Sequence, residues 1–270
     1  MALIPPFFID CVVAIGKRTQ DGKVSWIASG FFYGFLEKKA AVGKDQAWTV
    51  YLVTNKHVLG GEGELVIRVN PGNDGSGQDF NISLVDSNDD LLWEGHSYNA
   101  VDVAVLPINW NILTDKGMQV AFFQSQEHAL GARKMQDAGL VEGDFAYVLG
   151  FPMGLGVNKR NTVITRGGVI ARIRETHKRA TEPFLVDATV FPGNSGGPVV
   201  SKPEIVSIDG TSSISNAHLL GVVASYVPYS DVAISQQTGQ ARVIFQENSG
   251  LSSVFTTDCI DQAIRRHKKV

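Results

Sequence analysis

Short apolar runs recur along the chain, and turn-forming residues separate each run from the next. Valine, isoleucine, phenylalanine and tyrosine dominate the runs, while glycine, proline, asparagine and aspartate lie between them. The clearest runs are "FIDCVVAIG", "WTVYLVTNKHVL", "ELVIRVN", "VDVAVLPI", "FAYVLGF", "NTVITRGGVIARI", "PFLVDATV" and "LLGVVASYV". This pattern is typical of an all-β fold built from many short strands, as in barrels or sandwiches.

Three stretches interrupt the pattern. Residues 109–138 are less strand-like and predict a connection with a short helical turn, which divides the strands into two halves. Residues 70–80, "NPGNDGSGQDF", predict a flexible loop or hairpin tip. Residues 172–183 form a basic stretch that we interpret as a solvated hairpin.

The segment 256–270 predicts a C-terminal α-helix. Thr256 or Thr257 is suited to the helix cap and Asp258 to the first turn, and basic residues follow near the end. The apolar positions that share one helical face are Cys259, Ile260, Ala263 and Ile264.

Charge and hydropathy exclude several classes of function. The formal net charge of −3 argues against a surface for nucleic acid, and no apolar run approaches the roughly 20 residues that cross a membrane. The N-terminal stretch lacks a basic start and contains Pro5, Pro6 and Asp10, so we predict a first strand over residues 7–16 rather than a secretory signal. We interpret Cys11 and Cys259 as reduced, buried thiols, and together these features favour a cytoplasmic location.

The segment "VFPGNSGGPVV" surrounds Ser195 with three glycines and two prolines. A nucleophilic serine needs a sharp turn and backbone N–H groups that can hold an oxyanion. Gly193 has no Cβ, so its N–H can be aimed at a reacting carbonyl, and the N–H of Ser195 itself would be the second donor. Gly196 and Gly197 would let another strand approach closely.

A serine nucleophile needs a base and a carboxylate that orients the base. Among six histidines, only His57 follows an apolar strand, in "YLVTNKHVL", from which it can project into a cleft. Asp102 begins the apolar strand in "NAVDVAVLPI", where an acid is costly to bury unless it is paired. Asp187 is a second acid in an apolar strand, and we interpret it as structural.

The strings "TNKHV", "DVAVL" and "GNSGGP", in this order, resemble those of the trypsin/chymotrypsin-like serine peptidases. The resemblance implies His57 as base, Asp102 as its orienting acid, Ser195 as nucleophile, and the N–H groups of Gly193 and Ser195 as the oxyanion hole. It implies no metal and no cofactor.

The resemblance is sharper to the HtrA/Deg-like branch and its stand-alone bacterial relatives, through "GFPMGLG", "TVITRGGVIA", "DATVFPGNSGGPVV" and "LLGVVAS". It implies two six-stranded antiparallel β-barrels with the triad in the cleft between them. The implied units are an N-terminal barrel (1–115) with His57 and Asp102, a connection (116–135), a C-terminal barrel (136–255) with Ser195, and the closing helix (256–270). A PDZ domain is not expected, and insertions at 36–47, 70–100 and 172–183 are expected to shape substrate access.

Asn194 separates this chain from the secreted branch of the resembled family. There, an aspartate before the catalytic serine pairs with a newly cut N-terminus and so builds the oxyanion hole. An asparagine carries no charge, so Asn194 cannot form that ion pair. We expect that trypsin-type N-terminal cleavage does not activate this protein.

The resemblance also implies which residues contact substrate. The pocket for the residue before the scissile bond would use Thr189, Val190 and Phe191, and the absence of an acid at position 189 disfavours lysine and arginine. Small or medium apolar residues are expected instead, with Tyr226 narrowing the entrance. The segment Ala224, Ser225 and Tyr226 would pair with the substrate backbone as an added strand.

Two hypotheses of different classes follow. The first is an active serine endopeptidase with a protein or peptide substrate, without nucleic-acid or membrane partners. The second is a catalytically silent or latent peptide-binding module of the same fold, which needs a regulatory protein partner for activity. The presence of all three triad residues favours the first hypothesis.

Overall fold

The computed structural model describes residues 4–38, 46–61, 63–204 and 213–269. Within these residues the chain forms fourteen strands, six α-helices and one 3₁₀ turn. Of the predicted insertion 36–47, residues 39–45 lie outside the described residues. The strands are β1 (Val12–Arg18), β2 (Val24–Lys38), β3 (Ala47–Thr54), β4 (Glu64–Val69), β5 (Gln78–Ser83), β6 (Glu94–Gly95), β7 (Ala104–Pro107), β8 (Phe123–Gln124), β9 (Phe145–Gly150), β10 (Ile164–Arg172), β11 (Phe184–Asp187), β12 (Pro198–Ser201), β13 (Leu219–Ile234) and β14 (Ala241–Thr256). The helices are α1 (Pro6–Asp10), α2 (Lys56–Leu59), α3 (Trp110–Asp115), α4 (Ala132–Asp137), α5 (Arg174–Lys178) and α6 (Thr257–His267), and the 3₁₀ turn spans Pro152–Gly154.

The C-terminal half forms the closed six-stranded barrel that the resemblance implies. Its strands follow the order β10-β11-β14-β13-β12-β9, and every neighbouring pair is antiparallel. Side chains alternate along the strands, so Phe184 and Val186 of β11 point into the barrel and are fully buried. The all-β fold class is confirmed.

The N-terminal half differs from the expected six-stranded barrel. It is an eight-stranded sheet in the order β5-β4-β1-β2-β3-β7-β6, and β8 adds a short parallel pairing to β2. Between β5 and β6 the described chain keeps only a bridge between Val85 and Leu91, supported by a hydrogen bond from Leu92 N–H to the Leu84 carbonyl. The intervening polar turn explains the interruption, because the Asp86 carboxylate accepts the N–H groups of residues 88 and 90 in place of a strand partner.

The first predicted strand is wrong over its N-terminal part. Residues 6–10 form the short helix α1, and the strand begins only at Val12. Pro6 occupies a first helical position, where its fixed φ angle and missing N–H are tolerated. Phe8 is buried with its ring 4.7 Å from that of Phe123, so packing against the connection stabilises the helix.

The three interrupting stretches have different outcomes. Residues 70–77 connect β4 to the antiparallel β5, so the hairpin tip is confirmed. The connection 109–138 contains α3, β8 and α4, which is more regular structure than one helical turn. The stretch 172–183 is not a simple hairpin, because it contains α5, whose first N–H groups are accepted by the Glu142 carboxylate.

The C-terminal helix α6 is confirmed, and it bridges the two halves. Its apolar face is fully buried, and the Asp258 carboxylate accepts the N–H of Ala132 at the start of α4. Toward the N-terminal half, Asp261 accepts a hydrogen bond of 2.8 Å from the Tyr33 hydroxyl. Gln262 bonds His96 at 2.6 Å, and Arg266 lies 2.8 Å from the Glu94 carboxylate.

Both cysteines are buried and unbridged, as the sequence predicts. Burial raises the pKa of the Cys11 thiol well above its usual range, and it raises the pKa of Cys259 to about 12. In the part of the chain that the structure describes, no helix is both long and apolar enough to cross a membrane.

Candidate active site

Three segments from the two halves meet at one cleft. His57 lies in α2, which follows β3, and Asp102 lies two residues before β7, so strands of the N-terminal sheet position both residues. Ser195 lies in the turn between β11 and β12 of the C-terminal barrel. Together the three side chains line a cavity of about 290 Å³.

His57 and Asp102 form a directly bonded pair. Asp102 Oδ2 lies 2.5 Å from His57 Nδ1, and Asp102 Oδ1 accepts the His57 backbone N–H at 3.2 Å. Asn55 Nδ2 donates to the Asp102 carbonyl at 2.6 Å and fixes the backbone of that residue. Burial raises the pKa of Asp102, but the hydrogen bonds and charge of His57 outweigh burial, so the pKa lies below its ordinary value. The carboxylate is therefore ionised at neutral pH and can orient the imidazole.

Ser195 faces the barrel in this conformation. Its Oγ lies 3.5 Å from the Ala224 carbonyl oxygen, and the described residues show no hydrogen bond between Ser195 and His57. Catalytic hydrogen bonds are often long in ligand-free proteins and tighten when substrate binds. The cleft thus holds the His57–Asp102 pair assembled and the serine beside it.

The turn before Ser195 orients one oxyanion donor. The N–H of Met153 donates to the Pro192 carbonyl at 2.6 Å. In a trans peptide the C=O and the next N–H point in opposite directions, so the Gly193 N–H is directed away from Met153. Among the described residues, neither the Gly193 N–H nor the Ser195 N–H has a protein acceptor. Both donors are free to bind a substrate carbonyl.

Gly193 is required by this geometry. Its φ angle is +99°, and a Cβ there would lie 2.4 Å from the Phe151 carbonyl oxygen. Met153, whose N–H binds the Pro192 carbonyl, also has a left-handed backbone, with a φ angle of 55°. Its side chain is 60% exposed. A non-glycine residue at such a φ angle is uncommon and stores backbone strain.

Ser29 of β2 connects the N-terminal sheet to the catalytic turn. Its Oγ donates to the Gly193 carbonyl at 2.6 Å and accepts the Phe151 N–H at 2.9 Å. Its backbone N–H donates to the Ser195 carbonyl at 2.9 Å. Sequence analysis missed both Ser29 and Met153. A fully buried serine in an apolar strand is the signal that could have identified Ser29.

The close approach expected at Gly196 is present. A Cβ at Gly196 would lie 2.1 Å from Thr54 Oγ1 and 2.2 Å from the Ser29 carbonyl oxygen, and the φ angle is +81°. Only glycine lets the catalytic turn pack this tightly against β2 and β3.

Asn194 is fully buried and closes the catalytic turn from within. Its Oδ1 accepts the Phe191 N–H at 3.0 Å, and its own N–H donates to the Phe191 carbonyl at 2.9 Å. The uncharged side chain therefore stabilises the turn of residues 191–194 through its hydrogen bond to the Phe191 backbone.

The substrate-contact residues from sequence analysis fall into two groups. The cavity beside Ser195 is lined by Val190, Phe191, Ala224, Ser225 and Tyr226, together with Val223 and Pro192. Thr189 is not among the lining residues, and its hydroxyl lies near Gly250 instead, 3.9 Å from where a Cβ of that residue would be.

Two of the histidines outside the cleft have structural partners. His96 bonds Gln262, and His128 Nδ1 accepts the Gln124 N–H at 3.0 Å. Within the described residues, no three His, Cys, Asp or Glu side chains lie close enough together to hold a metal ion.

Comparison with known proteins identifies the family of the chain. The family model described as "Trypsin-like peptidase domain" matches residues 28–204, which is more than half of the 270 residues. None of the curated proteins matches the chain. The matched region contains His57, Asp102 and Ser195, and it also contains the turn that orients the Gly193 N–H. The chain therefore belongs to the family of trypsin-like peptidase domains, whose members have a serine-protease type of function.

Proposed function

We propose that this chain is a serine endopeptidase that cleaves protein or peptide substrates through an acyl-enzyme. The observation that carries the proposal is the arrangement of one cleft. The bonded His57–Asp102 pair and Ser195 line the same cavity, and the Gly193 N–H is oriented by the Met153–Pro192 hydrogen bond.

The reaction follows from these groups. Ser195 Oγ attacks the scissile carbonyl carbon while His57 Nε2 takes the hydroxyl proton, and the Gly193 and Ser195 N–H groups stabilise the resulting oxyanion. Collapse of the tetrahedral intermediate breaks the C–N bond, and His57 gives the proton to the leaving amine. In the second half of the reaction His57 takes a proton from a water molecule, whose oxygen attacks the acyl carbon. His57 then gives that proton to Ser195 Oγ as the ester bond breaks, which releases the acid product.

We propose that trypsin-type N-terminal cleavage does not activate the enzyme. The buried, uncharged Asn194 closes its own turn and carries no charge for a new N-terminus to neutralise. Mass spectrometry of the active species tests this proposal, because an obligatory new N-terminus would contradict it.

We propose a preference for small or medium apolar residues before the scissile bond. The pocket wall beside Ser195 consists of Val190, Phe191, Val223, Ala224 and Tyr226. The one acid among the described residues that line the same cavity is Asp102, which is bonded to His57 and so is not available to pair with lysine or arginine. A peptide library that varies only this residue tests the preference, and efficient cleavage after lysine would contradict it.

One observation favours a latent form of the same protein. Ser195 Oγ faces the Ala224 carbonyl rather than His57, so the catalytic pair must still form when substrate or a regulatory partner binds. The resemblance to the HtrA/Deg-like branch and the cytoplasmic location stay predictions.

A fluorophosphonate probe separates the active enzyme from the silent or latent module, because it reacts only with an activated serine. We expect wild type to be labelled and Ser195→Ala to remain unlabelled, with Ser225→Ala labelled as a nearby serine control. A folded wild-type sample that is not labelled would contradict an active enzyme and support the latent form.

A further inference from the structure

Strands β13 and β14 extend beyond the barrel as a two-stranded ribbon, residues 228–248. The barrel partner of β13 ends where Pro198 pairs with Val222, and that of β14 begins where Asp187 pairs with Leu251. Beyond these points the described strands pair only with each other, from Pro228–Asn248 to Ile234–Ala241. An isolated two-stranded ribbon is marginally stable in water, so this one is expected to have a partner.

Large apolar side chains are exposed on both faces of the ribbon. Val232 lies opposite Ile244 on one face, and Asp231 lies opposite Phe245 on the other. Tyr229 is 58% exposed, Ile234 63%, Ile244 62% and Phe245 53%. Contiguous exposed apolar surface of this kind marks an interaction site.

The ribbon is continuous with the candidate active site. Ala224 of β13 lies beside Ser195 Oγ, and the same strand continues from there to Ile234. At the base of the ribbon, Asn248 Nδ2 donates to the carbonyl of the pocket residue Val190 at 2.6 Å. The pairing of β13 with β14 is irregular between Tyr226 and Pro228, but β13 itself is continuous, so a polypeptide that lies along Ala224–Tyr226 would reach the ribbon by following the same strand.

The backbone of β13 also presents an open edge along this path. Proline has no N–H, so the pair Pro228–Asn248 must be one of the antiparallel pairs without mutual hydrogen bonds, and the Pro228 carbonyl faces away from β14. Because alternate residues share a direction, the backbone groups of Ser230 and Val232 face the same way. The Val232 N–H is capped locally by Asp231 Oδ1 at 2.8 Å, a contact that a pairing strand would replace.

We propose that this edge of the ribbon extends the substrate-binding strand and selects unfolded, extended polypeptides with apolar residues upstream of the cleavage site. The inference rests on the proposed endopeptidase function. Eight residues beyond Tyr226 span about 26 Å of added strand. With an antiparallel substrate, they would pair with residues about four to eleven positions before the scissile bond. Substrate side chains would pack against Tyr229 on one face and against Val232 and Ile234 on the other.

Three peptides with one shared cleavage site test the inference. One is short, one adds eight apolar, strand-forming residues before the site, and one adds the same residues after it. We expect the N-terminal extension to raise kcat/KM about tenfold over the short peptide, the sum of a few cross-strand pairs. We expect the C-terminal extension to give no such gain.

Matched proline substitutions test which of the two edges of the ribbon, β13 or β14, binds the extended peptide. Ser230 and Gln246 are directly opposite each other, and both have backbone groups facing outward, Ser230 on β13 and Gln246 on β14. Ser230→Pro should abolish the gain from the N-terminal extension, whereas Gln246→Pro should retain it. Replacing residues 229–247 by Asn-Gly should also abolish the gain. Equal losses in the two proline variants, or a gain that survives the replacement, would overturn the inference.

Binding to Ser195→Ala separates this inference from the proposed function. Fluorescence anisotropy should show tighter binding of the N-terminally extended peptide than of the C-terminally extended one, whether or not wild type is active. Equal binding of the two peptides would overturn the ribbon inference alone. A wild-type protein that the fluorophosphonate probe does not label would contradict only the proposed endopeptidase activity. Sedimentation that shows a dimer dependent on residues 229–247 would also overturn it, because a second copy would then cover the ribbon.

Discussion

Ser29 Oγ lies 2.6 Å from the carbonyl oxygen of Gly193, although 164 residues separate the two in sequence. Through this contact a strand of the N-terminal sheet holds the turn that carries the nucleophile and the oxyanion donors. The geometry of the candidate active site therefore depends on contacts between the halves as well as on the catalytic residues.

Ser29→Ala should lower kcat and stability together. It leaves the buried Phe151 N–H and Gly193 carbonyl without their partner, which costs about 1–3 kcal/mol. Loosening the Gly193 turn should reduce kcat by about 10- to 100-fold with a smaller change in KM. Denaturant unfolding and steady-state kinetics measure the two effects. Ser25→Ala, an exposed serine on the same strand, is the control, and an unchanged kcat in Ser29→Ala would contradict the role.

Two substitutions at Met153 should differ in their effect on kcat. Met153→Gly keeps the N–H that binds Pro192 and relieves the left-handed backbone, so activity should persist and stability should rise by about 1 kcal/mol. Met153→Pro removes the N–H and cannot adopt the positive φ angle, so the Gly193 N–H should lose its orientation and kcat should fall about 100-fold or more. Equal kcat values in two folded variants would show that the Met153 N–H does not position the oxyanion hole.

Asn194→Asp should inactivate and destabilise the protein. The variant would bury a carboxylate whose hydrogen-bond partner is a single backbone N–H, at a cost of about 3–5 kcal/mol if the group stays charged. Thermal unfolding and probe labelling check the outcome, with Asn111→Asp on the exposed surface of α3 as the control. A stable, active variant would instead reveal a cation that pairs with position 194.

Asp261→Asn should stabilise the protein at pH 8 but not at pH 4. Burial raises the pKa of Asp261 from 3.8 to about 6, outweighing the Tyr33 hydrogen bond and the charge of Arg265. The folded state thus binds the proton more tightly than the unfolded chain, so the contribution of this group falls as pH rises from 4 through 6. The full pKa shift corresponds to a loss of about 3 kcal/mol in the free energy of unfolding once Asp261 is ionised. The amide of Asp261→Asn stays neutral, so it avoids this loss and can still accept the hydrogen bond from Tyr33.

Urea unfolding of wild type and Asp261→Asn across this pH range measures the difference directly. The gain should grow between pH 4 and pH 7 and then level off. Asp115→Asn, at the exposed end of α3, controls for the loss of one negative charge. A gain that does not change with pH would contradict titration of Asp261 as its cause.

Local patterns were sufficient to predict strands in the eight apolar runs, the closing helix and the glycine-rich turn, although the long strands β2 and β14 lie outside those runs. The apolar face of α6 is visible in the spacing of its residues, and the close approach at Gly196 follows from the glycines around Ser195. The sequence also brought His57, Asp102 and Ser195 forward as candidates, and the structure places them in one cleft, while their catalytic roles stay a proposal.

Features that depend on distant contacts could not be predicted in this way. α1 is stabilised by Phe8 packing on Phe123, and the start of α5 is held by Glu142, so local propensity did not identify either helix. The left-handed backbone of Met153 could not be predicted from its residue type. Its exposed side chain also belongs to no hydropathy pattern that would mark the position. The ribbon has apolar residues on both faces, so no alternation between core and solvent distinguishes it.

The position of α6 has a consequence for how the protein is made. His57 and Asp102 belong to one half and Ser195 to the other, and α6 bonds Tyr33, His96 and Glu94 of the first half while packing on the barrel. During translation these contacts cannot form until residues 257–267 have left the ribosome. The contacts by which α6 joins the two halves therefore form only after every residue of the triad has already emerged.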